Sequence, residues 1–246
     1  MKTIKGSLLI MLWLFVVACN DDENRTTNKL TSQEQAEMVA SSIGKSGFAA
    51  SADQSADYTD DAVGARMAQC GYAAENSVSL SGAFGEILYS FAYDYDVALV
   101  CNGSEQPTKF TSDFTYSGSL DGPKFASDYS GSGSLIITSL DAASAVYTIN
   151  GSYDRAGSFE SKIEEQTSGS SNISLDIDEV LINKSTKVIV GGSADASVSG
   201  VIPSKGNYAF DAHVVFNGDG TANIQVNGKV FVANLATGQV TAKIQS

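Results

Sequence analysis

The chain has 246 residues, 28 acidic and 15 basic, with a net charge of −13 at pH 7. An acidic surface repels phosphate backbones, which excludes nucleic-acid binding. Charged residues make up only 17% of the chain and 23 glycines stand against 3 prolines, so Ser, Thr, Asn and Gly must supply the polar surface. The length suits one large β domain or two smaller ones.

The chain opens with Lys2 and Lys5, followed by the uncharged apolar run Leu8 to Ala18. A membrane-spanning helix needs about 20 such residues, and this run is shorter. Residues 1–18 therefore read as an export signal, positive first and apolar after. Val16-Val17-Ala18-Cys19 closes the run and resembles the lipobox of bacterial lipoproteins. The resemblance covers this segment alone. It implies that Cys19 takes a diacylglycerol, that cleavage follows Ala18, and that the new amino group is acylated. Two or three acyl chains hold firmly, because each buried CH₂ contributes about 0.8 kcal/mol.

Residues 19–30 follow as the acylated cysteine and a polar tether. Asp21, Asp22 and Glu23 resemble the surface-export signal of Bacteroidota lipoproteins, and a solvated tether is the alternative. The resemblance implies an outer-membrane protein, lipid-anchored through Cys19 and facing the cell surface, with the periplasmic face as the alternative. Cleavage removes Lys2 and Lys5, leaving 13 basic against 28 acidic residues, a net charge of −15. Once Cys19 is acylated, Cys70 and Cys101 remain. In an oxidising compartment they are expected to pair, the alternative being two buried free thiols.

A helix and a small-residue-rich segment are expected over residues 31–77. Thr31 and Glu34 form a capping box, and Ala36, Val39, Ala40 and Ile43 follow at helical spacing before Gly44. The Val39/Ile43 stripe should lie on the β domain. Residues 46–69 carry no clear period, and Asp61 to Ala68 is open to a short second helix.

From residue 78 to residue 246 the period becomes two. Tyr89, Phe91, Tyr93, Tyr95, Val97 and Leu99 share a face, as do Phe110, Phe114 and Tyr116. The same parity recurs at Tyr147/Ile149/Tyr153, Ile173/Leu175/Ile177 and Tyr208/Phe210/Val214/Phe216. Further alternating runs follow at Ala222/Ile224/Val226 and Phe231/Ala233/Leu235. Asp121-Gly122-Pro123-Lys124, Pro203 to Gly206, Asn217 to Gly220 and Asn227-Gly228 supply the reversals. No crossover helix separates the runs, so the expected fold is mainly β: an antiparallel sandwich or barrel with one short N-terminal helix.

Candidate chemistry is sparse. The one histidine, His213, alternates with Ala212 and Val214, and no Gly-x-Ser-x-Gly elbow accompanies it. A single His without a cysteine cluster does not supply a zinc site, so no metal or other cofactor is expected. Asp94/Asp96 and Asp176/Asp178 lie two apart on strands, a spacing open to Ca²⁺ binding or glycosidase chemistry and equally to plain solvation. The tyrosines are expected in the core, although rings can also stack on sugars. The leading expectation is a non-enzymatic binding or adhesion module for a glycan or protein ligand. A carboxylate-dependent hydrolase and a lipid or small-ligand carrier are the alternatives.

Cys19→Ala should leave the precursor uncleaved and unlabelled by palmitate; normal labelling of that variant would end the lipoprotein assignment. Alanine at Asp21, Asp22 and Glu23 together should keep the anchor and reduce surface exposure. Protease shaving of intact cells reads this, and equal shaving of parent and variant would leave the acids as tether only.

Overall fold

The computed structural model describes residues 30–45, 47–64, 70–84, 86–123, 125–162 and 168–243. Cys19 and Asp21 to Glu23 lie outside them. Two helices, α1 (Ser32–Ile43) and α2 (Phe48–Gly64), precede eleven strands. These are β1 (Ala73–Phe84), β2 (Ile87–Cys101), β3 (Pro107–Asp121), β4 (Phe125–Thr138), β5 (Val146–Ser161) and β6 (Ser168–Asn183). β7 (Ile189–Ile202), β8 (Gly206–Phe216), β9 (Thr221–Val226), β10 (Lys229–Asn234) and β11 (Val240–Ala242) complete the chain.

All eleven strands form one sheet in sequence order, each antiparallel to the next. This is the antiparallel β architecture expected from the period-two runs. Among the described residues no strand joins β1 to β11, so the sheet is open. One face is largely buried from β2 to β10 and only half-buried on β1, at Ala74, Asn76 and Val78. A single row of register runs Tyr95–Phe114–Gly133–Tyr153–Leu175–Ala196 across β2 to β7.

The helices cover that face. α1 begins with the expected capping box: Glu34 N donates to Thr31 Oγ1 at 3.2 Å, and Thr31 N donates to Glu34 Oε2 at 2.6 Å. Its Ala36, Val39, Ala40 and Ile43 are buried against the sheet, as expected. α1 lies under β8 to β11 and α2 under β3 to β5. The ring of Phe48 sits 6.3 Å from Tyr153 on β5 and 6.2 Å from Phe216 on β8. Three strand spacings of a flat sheet are about 14 Å, so the sheet curls around the helix pair.

α2 is the main departure from the sequence expectation, which left residues 46–69 without a clear element and a short helix open over Asp61–Ala68. The helix starts thirteen residues earlier, at Phe48. Its buried face is Phe48, Ala52, Ser55, Ala56, Thr59 and Ala62. The spacing is helical, but the stripe is built of Ala, Ser and Thr, which give almost no hydropathy contrast. Two of its hydroxyls find partners inside: Ser55 and Ser112 of β3 share a hydrogen bond at 2.9 Å, and Thr59 donates to the Ser55 carbonyl at 2.7 Å.

Glycines on the buried face let aromatic rings from the next strand lie flat. Tyr116 of β3 crosses Gly131 of β4 and donates from its hydroxyl to the Asp154 carbonyl of β5 at 2.8 Å. Tyr208 of β8 crosses Gly200 of β7 and reaches the Ser170 carbonyl of β6, also at 2.8 Å. A Cβ at Gly131 would stand 1.9 Å from the Asp154 oxygen, and one at Gly200 would stand 2.0 Å from that of Ser170. Both are impossible without moving backbone.

The strand ends where β2, β4, β6, β8 and β10 finish share a second device. Asn102, Asp141, Asn183, Asp219 and Asn234 each accept bonds from backbone N–H groups two to four residues on, at 2.9–3.0 Å. These side chains replace the ladder partner that the turning backbone loses. At the other end, Asn227-Gly228 turns with both φ values positive, 48° and 72°, as the favoured two-residue hairpin requires.

Gly131→Ala and Gly200→Ala should each cost about 1–3 kcal/mol, the range for overpacking a filled site. Gly103→Ala meets nothing within 4 Å and should change stability by no more than about 0.5 kcal/mol. Urea midpoints of the three variants check this, and equal midpoints would show that the backbone gives way at no cost.

Candidate functional site

The face opposite the helices is exposed and polar. Glu75, Asp96 and Asp113 are direct neighbours across β1, β2 and β3. Farther along the same row, Asp176, Asp195 and His213 are neighbours across β6, β7 and β8. Like charges directly opposite each other destabilise a sheet, so both rows depend on solvent to screen them. His213 relieves one of them: its Nδ1 lies 2.7 Å from Asp195 Oδ1, with both side chains substantially in water. Serines bond other carboxylates of this face. Ser77 donates to Asp94 at 2.6 Å, and Ser197 donates to Asp211 at 2.8 Å.

The candidate carboxylates thus stand apart. Asp94 and Asp96 lie on β2, Asp176 and Asp178 on β6, all four exposed. Among the described residues no group of three His, Cys, Asp or Glu is placed to hold a metal ion. Asn217 to Gly220 forms the β8–β9 turn, where Asp219 Oδ1 accepts from Thr221 N at 3.0 Å. Those bonds from Thr221 hold the Asp219 carboxyl below its usual range. Cys70 and Cys101 form a disulfide with Cα atoms 5.5 Å apart, fastening the segment ahead of β1 to the end of β2.

Two adjoining depressions mark the polar face at the end distant from the Asx-capped loops. One, of about 560 Å³, spans β2 to β5 and includes Ser90, Ser117, Ser130 and Ala156. The other, of about 460 Å³, continues to β7 and includes Glu160, Ser168, Ser170 and Val201. Asp128 and Ser158 line both, so the two form one trough across six strands. Serine is the commonest residue along it, beside Tyr129, Phe159, Val201 and Pro203 and the carboxylates of Asp128 and Glu160. Sequence reasoning missed it, because serines at alternate positions look the same whether they border a depression or a flat surface.

The buried face carries different electrostatics. Arg155 is the charged side chain in the core among the described residues. Its guanidinium carbon lies 3.7 Å from the centre of the Tyr129 ring, and Nη1 donates to the Ser41 carbonyl of α1 at 3.0 Å. Burial pushes the phenols of Tyr93, Tyr95, Tyr116, Tyr129 and Tyr153 above their usual value. Half-buried Tyr208 rises to about 12. Among carboxyls Asp53 of α2 is shifted upward, by burial first and by Asp57 second, against the pull of Lys45 and Lys187. Glu34 is also penalised by burial, yet bonds from Thr31 and the Lys205 ammonium at 3.1 Å outweigh this and hold it low. The tyrosine stripe is core, as expected from its spacing.

Comparisons with protein-family models, with curated proteins and with solved structures found no match to this chain.

Raised phenol pKa values fix the sign of the alkaline response. The unfolded chain loses its tyrosine protons near pH 10, whereas the folded state keeps them longer. Stability should be flat up to about pH 9.5 and fall steeply above it. Urea midpoints at pH 8 and pH 10.5 measure this, and an unchanged midpoint would contradict the burial of these rings. On the exposed face, alanine at Asp94, Asp96, Asp176, Asp178 or His213 should shift stability by no more than about 0.5 kcal/mol.

Proposed function

We propose that this chain is a lipid-anchored outer-membrane protein, facing the cell surface, whose polar sheet face binds a ligand without turning it over. The trough across β2 to β7 carries the proposal. Its hydroxyls and backbone-level floor offer many weak polar contacts along an extended line, which suits a neutral, hydroxyl-rich chain such as a glycan. A protein ligand with a polar ridge is the second occupant that this chemistry admits. The overall acidity disfavours anionic ligands.

The hydrolase alternative asks for an acid and a base flanking a bound substrate, one with its pKa raised by burial. Asp128 and Glu160 are exposed, and neither sits in a closed site. The carrier alternative asks for an apolar cavity. Val39, Ile43 and Phe48 instead fill the space inside the curl, which favours the outer face as the working one.

The test uses the full acylated protein in detergent, applied to an array of neutral and acidic oligosaccharides. Retention of neutral oligosaccharides is expected. Ser158→Tyr fills the point where the two depressions meet and should reduce retention at least tenfold with an unchanged thermal midpoint. Equal retention by the variant would remove the trough as the binding surface. Screening the parent against glycosides, esters and peptides completes the test: hydrolysis that disappears on substitution of Asp128 or Glu160 would replace the binding reading with the hydrolase.

A further inference from the structure

In a sheet whose strands run in sequence order, each antiparallel to the next, every second reversal falls at the same end. The reversals after β1, β3, β5, β7 and β9 share one end, and the Asx-capped loops share the other. Turn residues build three of the first set, at Asp121 to Lys124, Pro203 to Gly206 and Asn227-Gly228. The β1–β2 reversal differs: Ala83-Phe84 leads in, Ile87-Leu88 leads out, and Phe84 pairs with Ile87. Leu88 is 58% exposed, the most of any large apolar side chain among the described residues. Val201 is exposed at the same end. On the helix side of this end Tyr89, Phe91, Leu120 and Phe159 are only half-buried. α2 leaves them uncovered because it runs from Phe48 to the other end, where Asp60 meets Lys187 in the β6–β7 loop.

The chain enters the fold at this same end. In the first turn of α1, Glu34 is bridged at 3.1 Å by Lys205 of the β7–β8 turn. Beside it, Gln35 Oε1 accepts from Asn227 Nδ2 of the β9–β10 turn at 2.6 Å. α1 finishes at the other end, where Lys45 N donates to the Leu235 carbonyl at 2.9 Å. Leu30 follows Cys19 by eleven residues, a reach of at most about 40 Å. β2, with fifteen residues, is about 50 Å long. Asn20 to Lys29 are polar throughout, so they supply no apolar cover themselves.

We propose that the tip of the β1–β2 hairpin and the half-buried rings beside it rest on the lipid surface in which Cys19 is anchored. This builds on the lipid anchor proposed above. Rings with a polar edge, such as that of Tyr89, favour the headgroup boundary. Charge does not oppose the contact. Asp121 and Glu34 at this end are bridged by Lys162 and Lys205, and Glu86 is exposed at the reversal itself, where it stays in headgroup water. The row Glu75–Asp96–Asp113 crosses β2 eight residues from Leu88, about 27 Å away. Salt at physiological strength screens exposed charges beyond about 8 Å. Ser90 of the trough lies two residues from Leu88 on the same face, so the trough opens sideways beside the headgroups, whatever it binds.

Trp13 is the one tryptophan of the chain and leaves with residues 1–18, so a single introduced tryptophan reports its own surroundings. The full acylated Leu88→Trp protein is reconstituted in vesicles of phosphatidylethanolamine and phosphatidylglycerol, with and without lipids brominated near the headgroup. Blue-shifted emission and at least twofold quenching by the brominated lipid are expected. Val188→Trp, at an apolar position exposed near the Asx-capped end, should show neither, and both variants should keep the parent's thermal midpoint. Flotation of the parent with the vesicles, and its lack of tryptophan emission, read the anchor separately. Floating protein without quenching at position 88, or with equal quenching at position 188, would overturn the apposition and leave the anchor standing. Protein that stays out of the vesicles would overturn the anchor, and this proposal with it.

Discussion

The buried face of this sheet depends on one steric arrangement, a large ring laid flat over a glycine on the next strand. A tyrosine standing upright would hold a helix far from the sheet. Lying across Gly131 or Gly200, the rings of Tyr116 and Tyr208 become a thin layer. Phe114 uses Gly133 in the same way, and the rings of Phe91 and Tyr129 meet above Gly118. The volume saved on the sheet side is matched on the helix side by Ala52, Ser55 and Ala56, which let α2 approach closely. Interiors tolerate little void or overlap, so the glycines, the rings and the small helix face form one solution. A side chain on Gly131 or Gly200 would meet backbone before it met a ring, and one on Gly118 or Gly133 would meet the rings themselves.

Flat rings bring hydroxyls into the core, and the fold disposes of two of them without using water. Tyr116 and Tyr208 each reach past the glycine strand to a carbonyl two strands away. Arg155 is treated similarly: its planar cation lies on Tyr129 and bonds a carbonyl in the last turn of α1. A cation there meets the negative end of the helix, so burial of the charge is offset by a ring face, a carbonyl and a dipole together. The same contact ties α1 to β5, well away from the strands it otherwise covers. Asp60 does a related job for α2, accepting from Tyr147 and pairing with Lys187.

Much of this was legible in the sequence and some was not, for identifiable reasons. Strand parity was readable because Tyr, Phe, Ile and Val alternate with Ser, Thr and Asp, and a one-residue slip would put every ring in water. Thr31, Glu34 and Gly44 announced α1 at both ends. The disulfide was expected on the reading that Cys19 is lipidated and the chain exported, which leaves Cys70 and Cys101 to pair, and their Cα atoms lie 5.5 Å apart. α2 was hidden because alanine and serine serve as its buried stripe, and a helix read by hydropathy needs contrast. The ring-over-glycine pairs were also hidden. Tyr116 and Gly131 are strongly suggestive residues, but only the register of β3 against β4 makes them neighbours. The trough is illegible for the same reason: it is a property of six strands side by side, and no single strand encodes it.

The division of labour between the faces explains why the polar side can be so plain. Core volume, helix docking and the buried cation are all settled on one face, so the other contributes little to stability beyond propensity and solvation. Short hydroxyl side chains suffice there, and long basic ones would bridge the carboxylates and fill the depression around Asp128 and Ser158. The like-charged neighbours Asp176 and Asp195, and Glu75 with Asp96 and Asp113, show that the face accepts an electrostatic cost instead of neutralising itself with lysine. That cost is modest in water and falls with salt, whereas a lysine at each site would change the surface's sign and reach. A face freed from stability and left short-chained, acidic and hydroxyl-rich is open to sequence change at constant fold, which is the condition under which a binding surface can be tuned to its ligand.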